Sequence, residues 1–352
     1  MRGLRGMITR GTGRRIQKSE LPPAPAEEFE GDDATLEAEI ERLVKINRTD
    51  PEAERERTLL HLRNLLAIRR LDNGGVDLGH PEPDYSRLPD RPLVEIEPAD
   101  LTPGVLRGGI LTGGCVLVRG LVDRGEAEQL AKEIDRCFVE RARHDADRSF
   151  DQRYYVPFEH DPRRGVRLLR EWIKEGGGVL AVDSPLLSFQ LGEALGEAGL
   201  PELVKGYLGS PPLISGDKTT LRKAQPTVSG AWHQDGKFMG QVRALNLWLS
   251  LSDCGRDAPG LDLVPRRLDE HVPTNTDDAM MLNQVSQRAA ETAAGELPIM
   301  RPTFEPGDAL LFDELFLHKT ASEPSMRRPR YAVESWFFAP SGFPENYVPL
   351  TA

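Results

Sequence analysis

Two short stretches decide how this chain folds: Gly230-Ala231-Trp232-His233-Gln234-Asp235-Gly236 and, later, Leu315-Phe316-Leu317-His318-Lys319-Thr320. His233 and Asp235 are two residues apart, so on a β-strand their side chains would project from one face. His318 lies in a later strand-like stretch and could join them. Two imidazoles and one carboxylate on one side of a metal ion leave its other side open to further ligands. We therefore expect a single metal centre built from His233, Asp235 and His318.

The sequence around these residues resembles a known enzyme family. Trp232-His233-Gln234-Asp235, the distant His318 and the later Arg330-Tyr331-Ala332-Val333 are similar to motifs of the Fe(II)/2-oxoglutarate dioxygenases, and of the phytanoyl-CoA dioxygenase family in particular. The similarity leaves the N-terminal part of the chain unexplained. It implies a double-stranded β-helix core in which the three candidate ligands hold Fe(II), with 2-oxoglutarate and O2 as co-substrates.

The resemblance also assigns residues to the co-substrate. It places Arg330 on the distal carboxylate of 2-oxoglutarate, which a planar guanidinium can bind in bidentate fashion. Its neighbours Arg327 and Arg328 are interpreted as a solvated basic turn. Thr320 would share a strand face with His318 and could donate its hydroxyl to the same carboxylate. Three further candidates for cofactor contacts are Gln234, Arg222 and Asn246, and three for substrate contacts are Trp248, Lys237 and Phe238.

The reaction that the resemblance implies is hydroxylation of an unactivated C–H bond in a small metabolite or natural-product intermediate, with release of succinate and CO2. Related halogenases replace the carboxylate ligand with a small residue, so Asp235 favours hydroxylation over halogenation. Desaturation, epimerisation and ring formation stay open. Two other classes also stay open: a metal-dependent cupin-like hydrolase or isomerase that does not use 2-oxoglutarate, and a non-catalytic interaction protein.

Composition indicates an ordinary soluble protein. Its 352 residues are 39% apolar and 29% charged, enough for one large domain with an appendage or for two small domains. With 45 basic and 56 acidic residues, the net charge of −11 disfavours nucleic acid as a partner. No apolar run approaches the ~20 residues of a membrane span. The three cysteines, Cys115, Cys137 and Cys254, are widely spaced and fit a buried core in a reducing, cytoplasmic setting.

The chain divides into three parts. Residues 1–32 are predicted to be a disordered basic and proline-rich tail. In residues 33–90, apolar positions recur at helical spacing and predict a helical hairpin followed by a linker. The hairpin could pack on the core or on a second subunit, which would make the protein a homo-oligomer.

Residues 91–352 are predicted to form the double-stranded β-helix domain, a jelly-roll or cupin-like core. The segment 266–301 is a candidate lid over the pocket. Many short strands separated by turn residues, with helices packed outside, give a mainly β chain of the α+β class. The predicted strands of the later half are 213–215, 219–222, 228–235, 244–251, 260–265, 309–312, 315–318 and 331–338.

Overall fold

The computed structural model describes residues 15–16, 29–74, 77–160, 166, 168–227, 229–240, 242–277, 279 and 283–352. Strand β1 (Arg15–Ile16) is the first described element. The remainder of the predicted tail up to residue 28 lies outside the described residues. Among the helices described, none is long and apolar enough to cross a membrane.

Two helices at the N-terminal end form a hairpin. Helix α1 (Asp33–Thr49) begins after Asp32, whose carboxylate accepts a hydrogen bond from Thr35 N at 2.9 Å. Helix α2 (Ala53–Asn73) follows after a short connection. Its N-cap is Glu52, whose amide donates to the Asn47 side chain at 3.0 Å. The apolar faces of the two helices pack on each other through Leu36, Ile40, Leu59 and Leu66.

The hairpin packs on the core of its own chain. The buried Asn64 amide donates to the Pro349 carbonyl at 2.7 Å, in the last strand of the protein. Arg153 donates through Nε to the Glu56 carboxylate at 2.9 Å, and both side chains are buried. The sequence left open whether the hairpin packs on the core or on a second subunit. In the described part of the chain, its contacts are with the core. Assembly through these helices stays a prediction.

The middle of the chain alternates between helices and strands. Thr102 caps the helix Pro103–Gly113 and Asp123 caps the helix Arg124–Asp145. Gly199 adopts a left-handed conformation (φ +69°) and separates the helix Pro185–Glu197 from the helix Leu200–Leu208. The elements are β2 (Val94–Ile96), α3 (Pro103–Gly113), β3 (Cys115–Val118), α4 (Arg124–Asp145), β4 (Phe150–Asp151), α5 (Arg170–Glu175), β5 (Gly178–Leu180), α6 (Pro185–Glu197) and α7 (Leu200–Leu208).

The later half supplies most of a large sheet. Its elements are β6 (Leu213–Ser215), β7 (Thr220–Ala224), α8 (Gly236–Met239), β8 (Ala244–Ser250), β9 (Gly260–Leu263), α9 (Gln287–Ala294), β10 (Ala309–Phe312), β11 (His318–Ala321), β12 (Arg330–Phe338) and β13 (Pro349–Thr351). The large sheet has the strand order β13-β6-β12-β8-β10-β3-β2, with β7 beside β12 and β5 beside β7. Strands β9 and β11 form a small antiparallel sheet. The predicted α+β class is confirmed.

The large sheet has two faces of different character. On the outer face, Leu245, Leu247 and Leu249 of β8 pack with apolar residues of α3, α4, α6 and α7. On the inner face, Trp248 packs with Phe312 of β10, and their apolar cluster includes residues of the small sheet. Alternation along each strand separates the two sets. The outer face is therefore a helix-covered core, while the inner face looks towards the small sheet that carries His318.

Candidate metal centre

A backbone bridge brings two of the predicted ligands together. His233 N donates to His318 O at 3.0 Å, and His318 N donates to His233 O at 3.2 Å. The prediction of a regular strand over 228–235 was wrong for the described residues, because only Trp232 and His233 form isolated bridges there. Asp235 has a helical backbone (φ −63°, ψ −30°) and precedes α8. Strand alternation therefore does not align His233 with Asp235; the turn into α8 does.

The three side chains nevertheless converge. Nε2 of His233 lies 3.7 Å from one carboxylate oxygen of Asp235, and Nε2 of His318 lies 4.0 Å from the other. One ligand atom from each residue fits within 4.8 Å of the other two. This is a compact set of two nitrogens and one oxygen, the donor set predicted from the sequence.

The histidines are oriented by their second ring nitrogens. Nδ1 of His233 lies 2.8 Å from the Ala231 carbonyl, and Nδ1 of His318 lies 3.2 Å from the Phe316 carbonyl. A carbonyl can only accept, so each Nδ1 is the donor and Nε2 is the ring nitrogen left for a metal ion. Burial, together with the nearby His233, lowers the pKa of His318 to about 3. His318 is therefore neutral near pH 7, as a metal ligand must be.

Asp235 is the charged member of the set. Burial raises its pKa, and the carboxylate of Glu334 adds to that rise, while His233, Lys218 and Arg222 oppose it. A buried carboxylate without a full counter-charge is costly, and a bound cation would relieve that cost. The donor types, the free Nε2 atoms and this carboxylate together fit a divalent metal ion.

Gln234 lies between the ligands but faces away from them. Its Nε2 donates to the Leu315 carbonyl at 2.6 Å, and its Oε1 accepts from Val272 N at 2.7 Å. It therefore joins the ligand segment to the segment before His318 and to the start of the candidate lid. These contacts support a positioning role, and its predicted contact with the cofactor stays a prediction.

Arg330 is buried on the inner face. It is 1% exposed, and its Nη1 donates to the Gly260 carbonyl at 3.1 Å. Its Nε has no hydrogen-bond partner among the described residues. The guanidinium lies 5.2 Å from the ring centre of Trp248. A buried, always protonated group with an unused donor fits a ligand carboxylate.

Thr320 lies near this arginine through the small sheet. It pairs with Leu261 in the β9–β11 ladder, one residue from the Gly260 that accepts from Arg330. Its partial exposure leaves the side chain accessible. Arg327 and Arg328 are both exposed, as expected of a solvated turn. These placements support Arg330 as the inward arginine, with Thr320 nearby.

Two further candidates lie on β8. Asn246 is 3% exposed and pairs in register with Phe312, whose ring lies 4.8 Å from that of His318. Its Oδ1 lacks a hydrogen-bond partner among the described residues. Trp248 is 1% exposed and lies under Arg330, so its contacts are with the arginine and the core rather than with an open pocket.

The sequence suggested Arg222 but missed its partner. Arg222 Nε donates to the Glu334 carboxylate at 2.9 Å, and the two side chains are 18% and 27% exposed. Glu334 shares the inner face of β12 with Arg330, four residues earlier. A glutamate within the stretch Ala332-Val333-Glu334-Ser335-Trp336 was the available signal, because it lies an even number of residues after Arg330 and therefore faces the same side of the strand.

The predicted substrate residues on α8 border the same region. Phe238 is 41% exposed, and Nζ of Lys218 lies 5.3 Å from its ring centre. The same Nζ lies 5.0 Å from the ring centre of Tyr347. Lys237 is exposed. Lys218 and Tyr347 were not recognised in the sequence, where nothing links them to the triad.

Comparisons with known proteins were made on the sequence and on the structure. No match was found among curated proteins. The crystal structure of EctD from S. alaskensis with 2-oxoglutarate and 5-hydroxyectoine aligns at 18% identity over 76% of this chain and 88% of that chain, with a TM-score of 0.48. The epimerase SnoN in complex with Fe3+, alpha ketoglutarate and nogalamycin RO aligns at 17% identity over 66% and 82%, with a TM-score of 0.43.

The family model described as phytanoyl-CoA dioxygenase (PhyH) matches residues 112–330. That span includes all three candidate metal ligands and ends at Arg330. It covers more than half of the chain, and it confirms the family that the sequence resembled. The protein belongs to the phytanoyl-CoA dioxygenase family.

Proposed function

We propose that this protein is an Fe(II)/2-oxoglutarate-dependent oxygenase that hydroxylates an unactivated C–H bond of a small metabolite or natural-product intermediate. In the balanced reaction, substrate, O2 and 2-oxoglutarate give the hydroxylated substrate, succinate and CO2. The observation that carries the proposal is the pairing of the convergent His233, Asp235 and His318 set with a buried, inward arginine that has an unused donor.

His233, Asp235 and His318 would hold the iron. When bound with 2-oxoglutarate and O2, the iron would supply the oxidising power for hydroxylation. The backbone carbonyls on the two Nδ1 atoms keep the rings turned with Nε2 towards Asp235. Gln234 would hold the segment 233–235 in place through its hydrogen bonds with the Leu315 carbonyl and the Val272 amide.

Arg330 would bind the distal carboxylate of 2-oxoglutarate. Its stacking on Trp248 and its bond to the Gly260 carbonyl fix the guanidinium plane, so little side-chain entropy remains to be lost on binding. Thr320 would add a hydroxyl donor, and the unpaired Oδ1 of Asn246 offers an acceptor on the same inner face. A metal-dependent hydrolase or isomerase would have no use for this arginine.

The test is anaerobic addition of Fe(II) and then 2-oxoglutarate to the purified protein. We expect a weak visible charge-transfer band from the chelated keto acid, and its absence in His233→Ala. His160→Ala is the matched control, because His160 bonds the Val166 carbonyl outside the site and should leave the band unchanged. Iron binding without a band would contradict the proposal and favour a hydrolase or isomerase. Absence of metal binding would favour a non-catalytic protein.

A further inference from the structure

Glu334 occupies a place where an apolar residue would be expected. On β12 it lies between Ala332 and Trp336, two residues that pack in the inner cluster beside Phe312 and Phe316. In the ladder with β7, Glu334 lies opposite Thr220 and Ala332 lies opposite Arg222. The ion pair of Arg222 with Glu334 is therefore part of the inner face, the face that looks towards the metal centre.

One oxygen of this carboxylate is available. Oε2 accepts from Arg222, and no hydrogen bond to Oε1 is found among the described residues. Burial favours the neutral acid, but the charges of Arg222 and Arg330 outweigh it and lower the pKa of Glu334. The side chain is 27% exposed, so a ligand can reach it. Glu334 therefore presents an ionised acceptor close to the triad.

A lysine that has no ion-pair partner in the described part of the chain borders the same region. Nζ of Lys218 lies between the rings of Phe238 and Tyr347, and Lys218 forms no ion pair within the described part of the chain. Phe238 belongs to α8, which begins directly after Asp235, and its amide donates to the Asp235 carbonyl at 3.1 Å. Lys218 is thus placed on the α8 side of the triad, and Glu334 on the β12 side.

These two charges restrict what can bind. An apolar substrate that closed over them would desolvate the Lys218 ammonium and leave Oε1 of Glu334 without a donor, which is costly. A simple anion would pair with Lys218 but offer no donor to Oε1 of Glu334, and a simple cation would pair with Glu334 but leave Lys218 without a counter-charge. A molecule with an amine and a carboxylate would pair with both.

Resting on the oxygenase proposed above, we propose that the substrate is a small zwitterion of the amino-acid class. Its ammonium group donates to Oε1 of Glu334 and its carboxylate pairs with Lys218, while Arg222 holds Glu334 in place. The C–H bond presented to the metal centre then lies in the part of the molecule between or beside these two anchors. Glu334 and Lys218 act as specificity-determining residues and take no part in the oxidation.

The test uses the full chain loaded anaerobically with Fe(II) and 2-oxoglutarate. The probes are the free L-amino acids, each compared with its N-acetyl derivative and its carboxamide. We expect at least one free amino acid to perturb the visible band and to accelerate succinate release, with both blocked forms ineffective. Glu334→Gln and Lys218→Met should each raise the half-saturating concentration of that amino acid by about tenfold or more.

Matched controls come from a surface pair. Glu202 and Lys205 form an exposed ion pair on α7, so Glu202→Gln and Lys205→Met should leave the response unchanged. If the band forms but no free amino acid outperforms its blocked forms, the substrate inference is wrong while the oxygenase proposal stands. An unchanged response in both Glu334→Gln and Lys218→Met would also overturn it. If the band itself never forms, the oxygenase proposal is the one that fails.

Discussion

The two faces of strand β8 differ in how their side chains are satisfied. Leu245, Leu247 and Leu249 point outwards and pack fully against helices. On the inward positions of the same strand, Asn246 and Trp248 are equally buried but keep polar atoms without partners among the described residues. Natural cores rarely leave buried polar groups unpaired. On β8, the outward side chains are apolar and need no polar partner, whereas the inward ones keep hydrogen-bonding atoms that a bound ligand could use.

The same contrast extends across β12. Val333 and Phe337 join the outer core, while Arg330 and Glu334 face inwards as ionised groups. Burial is therefore a poor guide to role in this sheet, and the unused hydrogen-bonding capacity is a better one. If this distinction is correct, substitutions on the two faces should separate stability from binding.

The largest effect is expected at the metal ligands. Asp235→Asn keeps the side-chain size but removes the only carboxylate in the set, so iron-dependent turnover should be abolished. Metal affinity should fall by more than the 10–100-fold that is typical for outer-shell partners of metal ligands. The metal-free protein should unfold at the same temperature or higher, because burial already raises the pKa of Asp235 and disfavours its charge.

Anaerobic thermal unfolding with and without Fe(II) measures stability and metal binding, and succinate release measures turnover. Asp253→Asn, an exposed aspartate paired with Arg124 at 3.8 Å, is the matched control. An Asp235→Asn protein that is still stabilised by Fe(II) would show that the carboxylate is not a ligand.

The outer face should respond in the opposite way. Leu247 is fully buried, and Leu247→Ala should reduce the free energy of unfolding by about 2–5 kcal/mol through lost burial and a residual cavity. Chemical denaturation measures this loss. The affinity of the folded fraction for Fe(II) and 2-oxoglutarate should stay within about twofold of the wild type, since distant independent sites add. A large loss of affinity at unchanged stability would remove the distinction between the faces.

A third comparison concerns Arg330. Arg330→Met should weaken 2-oxoglutarate binding by at least about 30-fold, because truncating one partner of a buried charge pair costs about 2 kcal/mol or more. Fe(II) binding should persist. Stability without co-substrate should be unchanged or higher, since burial lowers the pKa of this guanidinium and its Nε is unpaired.

Titration of the visible band with 2-oxoglutarate gives the affinity. Arg328→Met is the matched control, because Arg328 is exposed and lies 3.6 Å from Asp257. Equal effects of the two substitutions would contradict the role assigned to Arg330.

The residues of the candidate site could be named from the sequence, but their geometry could not be predicted from it. The triad and Arg330 lie in short motifs, so local sequence was sufficient to name them. The reason given for their convergence was wrong, since Asp235 is helical and His233 reaches His318 through a long-range bridge. Such pairing depends on residues about 80 positions away and leaves no local periodicity.

The missed residues show the same limit. Glu334 could be recognised only because it lies an even number of residues after Arg330 and so faces the same side of the strand. Lys218 could be recognised only from the structure, in which Phe238 and Tyr347 lie beside it. The packing of the hairpin on β13 rests on contacts such as Asn64 with Pro349. Helix periodicity predicted the two helices well because the pattern is local, but it does not identify the surface they cover.

The smallest effect is expected at His61, a buried histidine that, unlike His318, lies outside the metal centre. His61 on α2 is 7% exposed and stacks on Phe158 at 4.8 Å, and burial lowers its pKa to about 4. His318 is also buried and neutral, yet its Nε2 faces a carboxylate. Because the folded pKa of His61 lies below the unfolded value near 6.5, its contribution to stability is present above pH 6.5 and is lost as the pH falls towards 4.

His61→Phe should keep the stacking and remove this sensitivity. Relative to pH 7.5, the variant at pH 5 should lose about 2 kcal/mol less unfolding free energy than the wild type, from roughly 1.36 kcal/mol for each pH unit below 6.5. Urea denaturation of metal-free protein across pH 4–8 measures the difference. Fe(II) and 2-oxoglutarate affinities at pH 7.5 should be unchanged, because His61 lies on α2 and stacks on Phe158 rather than on a residue of the metal centre. A loss of affinity in His61→Phe would mean that the hairpin contributes to the site. Ligand binding would then depend on more than the inner face of the large sheet.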